Sequence, residues 1–343
     1  MKVRRDDAMF TGPVTILKIL VCDRRVPALA GTWPTVATVF RELGHAVTVV
    51  ADEPCDLDSF DVVVQWANPG YFPRFRKHIR GIPADRRPPV AVLYTEPLPA
   101  PRASGLPRWS ALNPAEIGKI ILNDWRATDI YSNAFKLRRM MREGSIDMLF
   151  MLGGEQQEYA AEQGYRSWRY DYGYHPSFGH LLGTDRDVDV LFLGETRPRR
   201  RRALLKRLRE QGVNVLVRGS WKDRKAGLWG EERTRFLNRT KILVHLQRYP
   251  GKLAGKRFIL GMANGAMVIS EPVYKPEPFV DGEHYVSATI EKMPEVIRHF
   301  LANPAERERI ALSGHRFITR DLTFTRVMEE VLSVVSDRKS RAY

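Results

Sequence analysis

The chain has 343 residues, enough for two ordinary domains that each bury a core. With 43% hydrophobic and 28% charged residues it has a globular balance, which excludes an intrinsically disordered chain. The formal net charge of +15 points to phosphate-bearing partners, and 2 cysteines exclude a disulfide framework.

In the first half, short apolar runs alternate with helical patterns. The apolar run over residues 14–22 is interrupted by Lys18 and reads as a first strand rather than a signal peptide. It ends on Cys22, expected as a small buried thiol in a reducing cytoplasm. No uninterrupted apolar stretch reaches the roughly 18 residues of a membrane span. Residues 33–43 are predicted helical with Thr32 as N-cap. Strands follow over 45–50, 62–65 and 90–94, and Asn113-Pro114 opens a further helix. Residues 128–131 and 148–151 read as strands, with a helix over 133–142 between them.

A turn-rich, aperiodic stretch surrounds His175, and the linker is placed near 176–184. The pattern then restarts: strands over 188–193, 213–217, 241–245 and 266–270, with helices over 199–211 and 257–264. Three helical stretches close the chain, over 294–302, 304–319 and 324–335. Strands apolar throughout and separated by helices imply parallel sheets covered on both faces. Two such arrays predict an α/β protein of two Rossmann-like domains facing a central cleft.

Charge is unevenly placed. Residues 186–257 carry 21 lysines and arginines against 7 acidic residues, so nearly the whole excess sits there. Ligands of open α/β sheets bind beyond the carboxyl ends of the strands. In this half the corresponding segments are 194–197, 218–220, 245–256 and 271–274, all rich in Gly, Arg and Lys. That composition suits a phosphate met by backbone N–H groups and fixed cations.

Four stretches carry a resemblance: VLFLGETRPRRRRALLKRL at 190–208, KILVHLQRYPGKLAGKRFILGMANGAMVISE at 241–271, FVDGEHYV at 279–286 and LANPAERERIALSGHRFITRDLTFTRVMEEVL at 301–332. In this order they resemble retaining GT-B glycosyltransferases, especially the CgeB-like (spore-maturation-protein) branch. The first half resembles it only in outline, through GYHPSFG at 173–179 and Leu93-Tyr94-Thr95-Glu96-Pro97. The resemblance implies an acceptor domain over 1–176, a donor domain over 177–322 and a helix over 323–343 returning to the first domain. It implies a UDP- or GDP-sugar co-substrate, no essential metal or other cofactor, and retention of anomeric configuration. The acceptor is left open among DNA, a glycan, a protein and a lipid head group.

Loss of a nucleoside diphosphate builds negative charge that preorganised cations and N–H dipoles stabilise. Arg197, Lys256 and Arg257 are the candidates, with Lys252 as a further donor-site cation. Gly194, Thr196, Arg218, Gly219 and His245 are expected to line the donor pocket, and His175 to reach the phosphates. Many relatives carry two glutamates separated by seven residues, the second binding the donor ribose. Leu260 and Lys252 stand at those positions here, which leaves Glu271 as the nearest carboxylate for the ribose. Glu96, at the end of the 90–94 strand, is a candidate general base or sugar-orienting group. Arg24, Arg25, Gly31 and Thr32 follow the first strand and are expected to face the cleft.

Other signals are set aside. Asp187-Val-Asp189 enters a strand, at the wrong end for a metal–nucleotide site. The eight histidines form neither HExxH nor a Cys/His cluster, so no metal is assigned. Gly153-Gly154 reads either as a plain turn or as a close approach to a ligand. Walker and G-x-G-x-x-G motifs are absent, against a kinase or an NAD enzyme. The competing reading of the basic 186–257 region is a nucleic-acid-binding protein, or a DNA-modifying glycosyltransferase that combines both roles.

Overall fold

The computed structural model describes residues 15–23, 35–66, 72–107, 118, 122, 129–196, 198–219, 228–253 and 255–340. The sequence-predicted sites at Arg24, Arg25, Gly31, Thr32, Asn113, Pro114 and Arg197 lie outside them.

Two sheets, both wholly parallel, organise the chain. The first has six strands in the order β2-β1-β3-β4-β5-β6, namely Ala46–Val50, Lys18–Cys22, Val62–Trp66, Val90–Tyr94, Met148–Leu152 and Trp168–Tyr170. Helices α1 (Val36–Glu42), α2 (Pro73–Arg80), α3 (Ile130–Arg142) and α4 (Gly153–Glu162) accompany them. The second sheet has five strands in the order β11-β10-β9-β7-β8: Val286–Ser287, Met267–Ser270, Thr240–His245, Val188–Leu193 and Leu216–Arg218. Its helices are α5 (Arg199–Glu210), α6 (Gly230–Asn238), α7 (Gly255–Ala263), α8 (Met293–Ala302) and α9 (Pro304–Arg320). Helix α10 (Phe324–Ser340) ends the described chain.

Strand side chains alternate between faces, so a strand buried on both sides must be apolar at every position. In β1, Ile19 and Val21 join one apolar cluster while Leu20 and Cys22 join another on the opposite face. The second sheet divides in the same way, with Leu191 and Leu243 on one face and Val190, Phe192 and Ile242 on the other.

Helix α10 buries Val327, Met328, Val331, Leu332 and Val335, a stripe at helical spacing, and packs against α1 beside the first sheet. The chain therefore crosses between the sheets twice, and the two crossings touch. Tyr174 donates its N–H to Leu322 O at 2.7 Å, and Phe324 N–H donates to Tyr174 O at 2.7 Å. A Cβ on Gly173 would stand 2.3 Å from Phe324 Cα, so only glycine admits this approach. The first crossing is pinned to the second sheet by buried amides. Asn264 Nδ2 donates to Phe178 O at 3.1 Å, and Asn238 Nδ2 donates to His180 O at 2.9 Å.

Three sequence expectations shift. Helix α1 starts at Val36, and its cap is Thr35, whose hydroxyl accepts from Thr38 N–H at 3.1 Å, not Thr32. Of the strand expected over 128–131, Ile130 and Tyr131 instead open α3, and Thr128 lies outside the described residues. Asp129 caps that helix by accepting from Tyr131 N–H at 2.9 Å, and the side-chain cap favours a helix start over a strand. The strand expected over 213–217 pairs only at Leu216–Arg218.

Candidate functional site

The carboxyl ends of both sheets open onto one cavity of about 280 Å³. The first sheet contributes Thr95 and Pro97 after β4, Gly153 to Gln156 after β5, and Asp171 and Tyr172 after β6. From the second come His245, Gln247, Arg248, Tyr249 and Lys252 after β9, Lys256 on α7, Arg201 on α5 and Lys275 after β10.

Lys256 lies in the first turn of α7, its ammonium 5.0 Å from the Tyr172 ring centroid and 5.5 Å from that of Trp66. Burial pushes its pKa down to about 8, against the opposing pull of Glu96 and Asp23. Glu96 thus belongs to the same neighbourhood, half-buried at the end of β4. Arg257, the next residue, turns behind the cavity wall. Its Nε donates to Leu193 O at 2.9 Å, and its guanidinium covers the Phe192 ring at 5.4 Å. Burial and the neighbouring Arg201 push its pKa down. Gly194 makes room for it: φ is +152°, and a Cβ there would stand 2.8 Å from Arg257 Nη2. Gly219 lies against Gly194 in turn, at 3.0 Å from Gly194 N for a built Cβ.

Arg201 was hidden in a run of arginines. Its Nε donates to Leu246 O at 3.0 Å and its Nη1 to Glu195 O at 3.1 Å, holding a cation at the cavity edge. Burial lowers its pKa to about 10. The spacing Arg201, Leu205, Leu208, all buried, is the signal that assigns Arg201 to the inner face of α5.

Lys252 ion-pairs with Glu155 of α4, from one sheet's side of the cavity to the other's, and both side chains are almost buried. Burial raises the Glu155 pKa more than Lys252 lowers it. Gly153-Gly154, read as a turn or a ligand approach, forms the start of α4 and puts Glu155 and Gln156 on the cavity. Beside this pair Lys275 Nζ meets Glu158 at 3.0 Å. Leu260, the other position where relatives carry glutamate, is buried in the core.

His245 closes β9 fully buried and lines the cavity. Burial and then Arg257, Arg201 and Arg200 hold its pKa well below the usual histidine range, so the ring is neutral.

Four expected site residues stand in other surroundings. Glu271 is no free carboxylate: Arg200 Nη1 donates to its Oε2 at 2.9 Å, and Gln247 N–H donates to the same oxygen at 2.7 Å. It braces the 246–252 loop, which Gln247 Oε1 tightens by accepting from Gly251 N–H at 2.6 Å. His175 caps a turn, accepting from Ser177 N–H at 3.1 Å on Nδ1, and its Nε2 donates to Glu42 Oε1 at 3.1 Å. Arg218 is exposed and lies over the Phe236 ring at 5.8 Å. Thr196 is half-buried and is not on the cavity wall.

The basic excess is likewise not a surface field throughout. Arg186 donates to Thr240 O and Asn264 O, Arg233 is 1% exposed, and Arg200, Arg201 and Arg257 are engaged as above. These cations satisfy interior carbonyls and Glu271, which disfavours the nucleic-acid reading. Asp187 pairs with Arg239 at 2.8 Å and Asp189 with Lys241 at 2.6 Å, both at the start of β7 and far from the strand ends that line the cavity.

Residues 199–333 match the family model described as "Glycosyl transferase-like". No curated protein sequence matches the chain. Among solved structures it is similar to Anabaena Alr3699/HepE in complex with UDP-glucose, at 11% identity over 94% of this chain and 100% of that one, TM-score 0.61. Sucrose-phosphate synthase from Thermosynechococcus elongatus is similar at 9% identity over 94% and 99%, TM-score 0.64. AviGT4, a glycosyltransferase involved in avilamycin A biosynthesis, is similar at 13% identity over 93% and 97%, TM-score 0.53. The fold is that of the GT-B glycosyltransferase structures it resembles.

Proposed function

We propose that the chain transfers a sugar from a UDP- or GDP-sugar bound in the cavity, with residues 1–176 as acceptor domain, 177–322 as donor domain and 323–343 as a returning helix. The observation that carries this reading is the cationic corner made by Lys256, Arg257 and Arg201 where α7 begins. A helix N-terminus already carries partial positive charge, and two cations in its first turn add to it. The local potential is set for a dianionic leaving group, which fixed charges stabilise without reorganisation. HepE's complex with UDP-glucose supports the same class of donor.

In this reading Lys256 neutralises the departing diphosphate, and Arg257 and Arg201 hold the potential from behind. Gly194 and Gly219 keep the β7 and β8 ends open to it. Glu96 orients the sugar or takes the acceptor proton from the side of the first sheet. Arg197 is assigned to the same diphosphate by sequence position. Retention rests on the CgeB-like resemblance. Metal independence rests on cations already standing where a metal would otherwise be needed. Cytoplasmic location fits the free thiols of Cys22 and Cys55, and among the described residues no helix is long and apolar enough to cross a membrane.

Thermal stabilisation and turnover across a panel of nucleotide sugars test the reading, with EDTA present in one arm. Stabilisation by one donor class, unchanged by EDTA, supports it. No stabilisation and no donor hydrolysis by any member rejects it.

A further inference from the structure

His245 carries a hydrogen-bonding pattern that fixes its tautomer. Ser270 Oγ donates its single proton to the Glu271 carbonyl at 2.7 Å, since a carbonyl can only accept. The contact between Ser270 Oγ and His245 Nδ1 at 2.9 Å therefore runs from Nδ1–H to the hydroxyl. With the ring neutral, Nε2 is left as a bare lone pair. That atom is buried and meets no hydrogen-bond partner among the described residues, although the residue is 0% exposed and lines the cavity. Phe258 stands edge-on against the ring at 5.3 Å and fixes its plane.

A buried lone pair selects for a donor. Phosphate oxygens have no proton to offer and would be repelled by it. The opposite wall of the same cavity adds two more acceptors, the Glu155 carboxylate and Gln156 Oε1, the latter also buried without a partner among the described residues. Arg257, Arg201 and Arg200 are the charged groups that act on His245, so its lone pair stands beside the cationic corner, with Glu155 and Gln156 on the first sheet's side of the cavity.

We propose that His245 is a specificity-determining residue whose Nε2 accepts a hydrogen bond from a hydroxyl of the transferred sugar. This rests on the nucleotide-sugar reading above and adds to it the group that distinguishes a sugar-loaded nucleotide from a bare one. Ser270 acts through His245, as the positioning residue that holds the proton on Nδ1.

The experiment measures dissociation constants of UDP, GDP and their hexose conjugates for wild type and His245→Phe, by calorimetry on the full chain. The expected result is a loss of about tenfold for the hexose conjugate and less than twofold for the free nucleotide, the worth of one hydrogen bond to a neutral group. Equal loss for both ligands, or no loss for either, overturns the proposal. Wild type that binds neither ligand rejects the donor reading itself, a pattern distinct from any effect of the variant. Should the variant fail to fold, imidazole nitrogen NMR of the wild type decides. An Nδ1–H tautomer whose Nε2 resonance moves with the hexose conjugate and not with free nucleotide supports the proposal. An Nε2–H tautomer overturns it.

Discussion

The ammonium of Lys256 stands 5.0 Å from the centroid of the Tyr172 ring, joining a helix of the second sheet to the exit of the first sheet's edge strand. Trp66 flanks the same ammonium at 5.5 Å, and its ring lies 6.4 Å from that of Phe324 at the start of α10. Gly255, one residue before the lysine, lets Tyr172 approach, since a Cβ would stand 2.9 Å from its ring. A desolvated cation over aromatic faces is held by about 2 kcal/mol. The cation proposed to meet the diphosphate is thus positioned by residues of the opposite half.

Lys256 should give donor binding a pH dependence. Its pKa of about 8 lies below the ordinary 10.5, so it is charged at pH 7 and loses its proton as pH rises through 8. Affinity for a nucleoside diphosphate is expected to fall by up to about tenfold per pH unit above that point. Lys256→Met should bind about tenfold more weakly at pH 7 and show a flat profile, read by calorimetry from pH 7 to 9.5. For stability the sign is reversed. Between 8 and 10.5 the unfolded state holds a proton that the folded state has lost, so this group adds stability as pH rises and Met removes that increment.

The Lys252–Glu155 pair should be worth more broken than whole. Removing one partner leaves a nearly buried charge alone, which costs about 3 kcal/mol. Glu155→Gln and Lys252→Met are each expected to lower the denaturation midpoint. The exchanged pair Glu155→Lys with Lys252→Glu should recover most of the loss, and a denaturant double-mutant cycle measures the coupling.

Gly173→Ala should disrupt the double crossing. The added carbon would meet Phe324 Cα at 2.3 Å, Phe324 N at 2.4 Å and Thr323 C at 2.6 Å, all backbone atoms that no rotamer relieves. A loss of about 3 kcal/mol is expected, with faster amide exchange in α10 than in the second sheet. Equal exchange rates in both regions would contradict this.

Glu271→Gln tests the brace. Its carboxylate receives Arg200 and the Gln247 N–H, so the amide should loosen the 246–252 loop and release Arg200. The expected outcome is a several-fold higher KM for the donor and about 3 kcal/mol lower stability. An unchanged KM would show that the loop does not depend on this contact.

Much of the scaffold was legible because strands buried on both faces must be apolar throughout, as in β4. Lys252, Lys256 and His245 were found on the cavity because they follow a strand end, where ligands of such sheets bind. Glu155 was missed because Gly153-Gly154 reads as a turn, whereas it opens a helix whose first turn faces the cavity. His175 and Glu271 have side-chain partners that the sequence did not reveal. Their partners, Glu42 and Arg200, come from distant segments, 133 and 71 residues away in sequence.

The sequence by itself determined two βαβ arrays and a basic second half, since hydrophobic period and composition are local properties. Only the tertiary structure decided which cations serve the interior and which face the cavity. Arg201 finds Leu246 O at a separation of 45 residues, and Lys252 finds Glu155 at 97. A guanidinium or ammonium buries where acceptors from other segments meet it, and folding alone brings those acceptors together.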